Sequence, residues 1–137
     1  MVHALNLVHG ILEPGGWLVD IHDLPAPNLV EVQTPDKIHK VGWLLDKDGF
    51  ENELAAFNAL AHTVVEGLFT LEDERTFAYN IYLDGVDELQ EWLAEWWTSA
   101  ILPDRTLQRL EKLTSQADQP AKIVLKLQAR TTRLRAA

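Results

Sequence analysis

Residues 2–23, VHALNLVHGILEPGGWLVDIHD, predict a helix, a turn and an apolar strand in direct succession. Apolar residues recur at steps of three and four through residues 2–12, which indicates a helix that packs under a sheet. The turn at 13–16 contains Pro-Gly-Gly, and glycine supplies the positive φ that often follows a helix. Residues 17–21 form a strand that is apolar on both faces, which is typical of parallel sheets covered by helices. The stretch therefore predicts one helix–strand unit of an α/β fold. The strands that would lie beside this strand are not found before it in the sequence.

The rest of the chain continues the alternation of helical and strand patterns. The segment Thr34-Pro35-Asp36-Lys37 is typical of a type I turn, because proline suits its second position. Asp48 and Glu51 have the spacing of a capping box, which predicts the start of a helix. Together the patterns predict a hairpin over 29–33 and 38–45, a helix over 49–66, a strand over 68–83 with a polar turn at 72–75, a helix capped by Asp84, a helix that begins at Pro103 or Asp104, and a last strand over 122–130. This order is that of the α/β class.

Composition limits the classes of protein to which the chain can belong. With 137 residues it is long enough for one domain with its own core. The absence of cysteine excludes disulfides, thiolate metal sites and cysteine nucleophiles, and it fits a reducing compartment. No apolar run approaches the length of a membrane span. The polar residues His3 and Asn6 interrupt the apolar run that a signal peptide would need at the N-terminus. A cytoplasmic protein with no membrane partner is therefore expected.

The formal net charge of −9 is unevenly distributed along the chain. Residues 122–137 contain five basic side chains and no acidic one, so the first 121 residues carry −14. An acidic body disfavours binding to the phosphate backbone of nucleic acids, and no nucleic-acid partner is expected. The basic segment could contact another anion or pair with the acidic body, and most charge runs are solvated faces.

The turn and the strand that follows it carry a resemblance to a known family. Leu12-Glu13-Pro14-Gly15-Gly16-Trp17-Leu18-Val19 is similar to the L-x-P-G-G-x-L-V motif of class I S-adenosylmethionine-dependent methyltransferases, where it introduces the fifth strand of a seven-stranded sheet. The resemblance implies a partial Rossmann-like methyltransferase sheet, made of late strands with an antiparallel last strand, flanked by helices and carrying an inserted β-hairpin. It extends over nearly the whole chain, so residues 1–137 would form a single methyltransferase-like half domain.

The chain departs from that family in the part that holds the cofactor. The family uses a glycine-rich loop after its first strand and an acidic residue after its second, because phosphate and ribose groups need close backbone and carboxylate contacts. The seven glycines of this chain do not form such a loop. The resemblance therefore implies the C-terminal half of such a domain, with no cofactor for this chain alone. S-adenosylmethionine is expected only if a missing half completes it.

A missing neighbour would leave the strand from Trp17 to His22 with an unpaired apolar edge. Exposed flat edges are sites of association between chains. We expect a homodimer across this edge, related by two-fold symmetry, and we expect the helix from Val2 to Leu12 to extend the same interface.

Asp20, His22 and Asp23 stand at the carboxyl end of this strand, where open α/β sheets place ligand contacts. Asp20 and His22 lie two residues apart and so share one face. A carboxylate beside an imidazole could orient a base or bind a metal, although only two of the usual three or four metal ligands are local. Alternatively, these side chains contact loop backbone or a second chain. They are candidates for a substrate pocket or an interface.

Three functions follow from these patterns. The first is a dimerising interaction or structural protein without independent catalysis. The second is a fragment or subunit of an S-adenosylmethionine-dependent methyltransferase whose cofactor-binding half lies upstream or on another chain. The third is a small-ligand binding module that uses a pocket at the dimer seam.

Overall fold

The structure is a computed structural model that describes residues 1–116 and 118–137. This part of the chain contains six strands and four helices. In chain order they are α1 (Val2–Ile11), β1 (Trp17–Asp23), β2 (Asn28–Gln33), β3 (Ile38–Asp46), α2 (Glu51–Val65), β4 (Phe69–Leu83), α3 (Val86–Trp96), β5 (Ala100–Ile101), α4 (Asp104–Ser115) and β6 (Lys122–Ala136). The six strands form one antiparallel sheet, and the expected mixed α/β class is confirmed.

Strand β6 lies beside three other strands of this sheet. Its residues 129–135 pair antiparallel with β1, in a register that places Leu18 opposite Leu134. Its residues 122–126 pair antiparallel with β2, and β4 also pairs with β6. The hairpin β2–β3 and the short β5, which pairs with β3, complete the sheet. The predicted hairpin and the antiparallel last strand are thus confirmed, but β1 is an edge strand rather than one enclosed in a parallel sheet.

Contacts between Cα atoms divide the chain into two compact units. Unit 1 comprises Met1–Pro25, Phe50–Phe77 and Gln128–Ala137. Unit 2 comprises Ala26–Gly49 and Ala78–Leu127. Strands β4 and β6 contribute residues to both units, whereas α1, α2 and β1 belong to unit 1 and the remaining elements to unit 2.

The core of unit 1 is small and forms between α1, α2 and one face of the strands. Leu18 of β1 packs against it, and Leu134, its cross-strand neighbour on β6, is 1% exposed. The side chains that are buried in this core are Leu5, Ala59, Leu60, Phe69, Leu134 and Ala136. The even-numbered residues of β1 therefore face the helices, because alternate residues of a strand point to opposite faces.

Helix α2 begins without the predicted cap from Asp48. Gly49 and Phe50 both adopt the left-handed backbone conformation, with φ of 64° and 60°. Phe50 is the N-cap residue, and no side-chain capping hydrogen bond forms at this position in the described residues. The chain turns into the helix through these two residues, so Asp48 lies too early to cap it.

Unit 2 has the larger core, which forms between its strands and the helices α3 and α4. The predicted apolar face of β6 is confirmed in this unit, since Ile123 and Leu125 are fully buried and Leu127 is 6% exposed. The predicted cap of α3 by Asp84 is wrong, because Gly85 is its N-cap residue. The buried members of this core are Val30, Val32, Val41, Leu44, Leu83, Leu89, Leu93, Leu110, Ile123, Leu125 and Leu127.

The basic side chains of β6 pair with the acidic body of the chain rather than standing free. This pairing also explains why the polar residues 72–75 continue the 15-residue strand β4 and do not form the predicted turn. The pKa of Lys122 is raised because its ammonium group donates a hydrogen bond to the Asp84 carboxylate. The pairs are Lys122–Asp84, Lys126–Glu31 at 3.8 Å, Arg130–Glu74 at 3.5 Å, Arg133–Glu72 at 3.3 Å and Arg135–Glu72.

In the described residues no helix combines the length and the apolar character that crossing a bilayer requires.

Candidate functional site

The structure brings Asp20 and His22 of β1 into contact on the covered face of the strand. His22 Nδ1 lies 2.6 Å from Asp20 Oδ2, and the two side chains are 30% and 11% exposed. Their cross-strand neighbours on β6 are Arg130 and Thr132. The carboxylate thus fixes the orientation of the imidazole ring in a partly buried position.

A ring and a cation from other elements of unit 1 surround this pair. The Phe57 ring of α2 meets the His22 ring edge to face, with centroids 6.5 Å apart. The guanidinium carbon of Arg130 lies 3.7 Å from the centroid of the same Phe57 ring, and Arg130 also approaches Glu74. The cluster ties β1, β6, β4 and α2 together through charged and aromatic contacts.

Asp23 follows His22 at the end of the strand. It is exposed, at the last position of β1, and it faces Ala129 on β6. His22 and Asp23 both line a cavity of about 450 Å³, together with Asn52 and Glu53 from the start of α2. Asp20 is not among its lining residues. Of the three candidate residues, two therefore share the hydrogen bond and two share the cavity, with His22 common to both.

This arrangement orients an imidazole beside a cavity of unit 1. The lining of the His22 cavity contains no serine or threonine that could act as a nucleophile beside the oriented ring. Within residues 1–116 and 118–137, no group of three or more His, Asp or Glu side chains could hold a metal ion. The contacts of Asp20 and His22 support a role in holding β1 in place.

A second cavity of unit 1, about 460 Å³ in volume, has polar atoms in its wall. Arg130 Nε and Thr132 Oγ1 are buried there and have no hydrogen-bond partner within the described part of the chain. Thr132 is only 3% exposed. Buried polar atoms of this kind are usually satisfied by water, and the cavity has room for it.

The face of β1 opposite to the helices is open and apolar. Its odd-numbered residues Trp17, Val19 and Ile21 are 55%, 55% and 61% exposed. Sequence reasoning missed this face, because apolar residues occur on both faces of this strand and so do not reveal which side is covered. The exposed large apolar side chains of unit 1 therefore include a whole row along one strand.

Charged side chains border this apolar row on the β6 side. The guanidinium carbons of Arg133 and Arg135 lie 5.1 and 5.3 Å from the centroid of the Trp17 ring. Both arginines also contact the Glu72 carboxylate of β4. The open face thus has an apolar row on β1, a basic row on β6 and an acidic side chain on β4.

The two free strand edges of unit 1 differ in character. In the described residues β1 and β4 each pair with β6 alone. β4 has four consecutive charged residues, 72–75, which protect an edge from pairing with another chain. β1 contains no lysine, no proline and no register shift against β6, so it lacks three common protective features.

No protein-family model matches the chain, and neither curated proteins nor solved structures give a significant match. The contacts within unit 1 and unit 2 therefore carry the functional interpretation.

Proposed function

We propose that this chain is a self-associating interaction protein whose unit 1 joins a second copy across the edge of β1. The observation that carries the proposal is the edge of Trp17–Asp23, which pairs with no further strand in the described residues and carries an exposed apolar row of Trp17, Val19 and Ile21 that ends at Asp23. The proposal assigns no independent catalysis to the chain. The cytoplasmic location expected from the cysteine-free sequence is part of the same proposal.

The symmetry of a homodimer restricts how two β1 strands can pair. A two-fold axis perpendicular to the sheet keeps each side chain on its own face. One residue at the axis must then lie directly opposite the same residue of the second copy. If that residue is Val19, it lies opposite Val19 of the second copy, and Trp17 lies opposite Ile21. The three exposed apolar side chains of each copy then form one continuous patch of six, and apolar cross-strand pairs of this kind are stabilising.

The neighbouring register is less favourable. With the axis beside Asp20, two Asp20 carboxylates would lie opposite each other, and Trp17 would lie opposite Asp23. Like charges that face each other across strands are destabilising, and an indole gains little from a carboxylate. The Val19 register is therefore the one we propose.

The surroundings of the row fit an interface with an apolar centre and a polar border. Arg133, Arg135 and Glu72 would lie on both outer sides of the joined apolar rows. We include α1 in the interface, as the sequence predicts, because Leu7 and Ile11 on it are 59% and 83% exposed.

A single introduced thiol tests the register, since the chain has no cysteine of its own. We expect Val19→Cys to form a disulfide-linked dimer on mild oxidation, because directly opposite Cβ atoms lie about 4.5–5.5 Å apart, close to disulfide geometry. Ile21→Cys is the matched control on the same face, since its copies would lie about four residues apart along the seam. Ile38→Cys, on the 63% exposed Ile38 of β3, tests random collision. Equal cross-linking of all three variants would contradict the proposal.

A charge at the centre of the seam tests the association itself. We expect the wild-type chain to sediment as a dimer and Val19→Lys to sediment as a monomer with an unchanged circular dichroism spectrum. Val19 suits this test because its side chain is exposed, whereas Leu18 packs against the core of unit 1. A Val19→Lys protein that stays dimeric would place the seam elsewhere.

The methyltransferase interpretation is the second candidate, and one observation favours it. β6 runs antiparallel to β1, as the resemblance implies for a last strand beside late strands of that family. Asp20, His22 and Asp23 would then border a substrate pocket that another half completes. Added S-adenosylmethionine should raise the melting temperature if the chain binds it, because a ligand that binds only the folded state stabilises that state. A flat response together with a stable dimer supports the interaction protein.

A further inference from the structure

Unit 2 contains a groove that the self-association of unit 1 does not involve. The groove has a volume of about 920 Å³, within the range of small-molecule sites. Its walls come from the start of β2 and the loop before it, the middle of β3 and the first turns of α4. Its apolar lining includes Pro27, Leu29, Trp43, Leu45 and Pro103.

The close approach of α4 to β3 shapes this groove. A Cβ atom at Gly42 would overlap the side chain of Thr106, so only glycine lets the helix come this near. Thr106 is 6% exposed at this contact. The approach places Arg105 and Arg109, which are one helical turn apart, on the groove side of α4.

Arg109 is held in a defined position by the backbone of β3. The register between β2 and β3 shifts beside Val30, so that Val41 is an extra residue on β3. The Arg109 guanidinium donates hydrogen bonds to the carbonyls of Val41, at 2.7 Å, and Lys40, at 3.3 Å. A guanidinium has five N–H donors, so donors remain after these two bonds.

The three cations of the groove lack acidic partners. Lys40, Arg105 and Arg109 all line it, and its lining contains no Asp or Glu. Within residues 1–116 and 118–137, none of the three forms a salt bridge. All five basic side chains of β6, by contrast, are paired with carboxylates. In a chain with a net charge of −9, three uncompensated cations around an apolar groove are suited to an anion.

We propose that this groove binds a small amphipathic carboxylate, with its apolar body on the Leu29–Trp43 side and its carboxylate at Arg105, Arg109 and Lys40. The planar fork of arginine matches the geometry of a carboxylate. The apolar walls require a ligand with an apolar body, which a compact multivalent anion lacks. The proposal does not depend on the dimer of unit 1.

Octanoate and octan-1-ol separate the contribution of the cations from that of the apolar walls. The two probes share the same chain and differ in the carboxylate. We expect titration calorimetry to give an affinity for octanoate about tenfold higher than for octan-1-ol, and a weaker octanoate affinity in about 0.5 M salt. Equal affinities, or no binding of octanoate, would overturn the proposal.

Two charge reversals on α4 locate the site. Arg105→Glu removes a groove cation that forms no salt bridge within the described residues, and we expect it to weaken octanoate binding by on the order of fivefold or more. Lys112→Glu makes the same change of charge on the same helix outside the groove lining, and we expect less than about a twofold effect. Circular dichroism of both variants verifies their folding, and Lys40→Gln provides a second groove variant on β3. Equal losses in Arg105→Glu and Lys112→Glu would mean that net charge, not the groove, attracts the ligand.

The Val19→Lys variant separates this proposal from the proposed function. Octanoate should bind to it as to the wild-type chain, whatever its oligomeric state. Loss of binding in a folded Val19→Lys protein would overturn the assignment of the site to unit 2.

Discussion

The two units of this chain pair strands with helices, but they bury their apolar residues to different extents. In the described residues, the core of unit 2 contains eleven buried apolar side chains and that of unit 1 contains six. Of the sixteen large apolar side chains that are exposed in the described part of the chain, ten belong to unit 1 and six to unit 2. Unit 1 therefore combines the smaller core with the more apolar surface.

This difference indicates where the chain gains from a second copy. A small unit leaves a large share of its apolar surface in water, and the pairing of two β1 edges removes part of it by bringing the two apolar rows side by side. The row of Trp17, Val19 and Ile21 is the most regular part of this surface in unit 1. Unit 2 instead closes its core and keeps a groove with a charged border.

A substitution in the larger core of unit 2 has the largest expected effect on stability. Leu110 of α4 is fully buried in unit 2, and we expect Leu110→Ala to reduce the free energy of unfolding by about 2–5 kcal/mol, since it leaves a cavity. Val65→Ala on the 86% exposed Val65 of α2 is the control in unit 1, with an expected change within about 0.5 kcal/mol. Urea denaturation measures both. Equal losses would contradict the difference in burial between the two sites.

Local sequence patterns predicted the elements that depend on neighbours in the chain. The turn at Thr34–Lys37 gave the β2–β3 hairpin, since proline and the flanking apolar runs act within a few residues. The alternation of apolar and polar residues correctly predicted which face of β6 is buried in unit 2. The cap of α2 failed because left-handed residues at Gly49 and Phe50, not a side chain, lead into the helix.

The sites depend on contacts between distant parts of the chain, which local patterns do not contain. Asp20 and His22 could be placed together because they are two residues apart on one strand. Arg109 reaches Val41 across 68 positions, and a β-bulge and a glycine on β3 prepare that contact. Such a groove follows from tertiary packing, so only the structure could reveal it.

A substitution at the contact between α4 and β3 has the next largest expected effect. We expect Gly42→Ala to destabilise unit 2 by about 1–3 kcal/mol, because the added methyl group overlaps Thr106 and the neighbouring strand must shift. The same variant should weaken octanoate binding, since the overlap moves the helix that carries two of the cations. Thermal unfolding and calorimetry measure the two effects.

The double variant Gly42→Ala with Thr106→Ala identifies the cause of that loss. Removing the Thr106 side chain relieves the overlap, so the double variant should be more stable than the sum of the single effects implies. Strict additivity would indicate that Gly42 matters for another reason, such as backbone freedom at the bulge.

Gly10 of α1 offers the smallest effect and the sharpest contrast with Gly42. No atom lies within 4 Å of a Cβ added there, and its φ is not positive. Alanine restricts the unfolded chain and favours the helix, so we expect Gly10→Ala to stabilise unit 1 by up to about 1 kcal/mol. Unfolding measured over a range of protein concentrations makes this test informative about α1 as well. If the gain is present in dilute, monomeric protein but is lost or reversed where the chain is dimeric, the added methyl group collides with a second copy, and α1 belongs to the interface together with β1. A gain that is independent of concentration would instead confine the seam to β1.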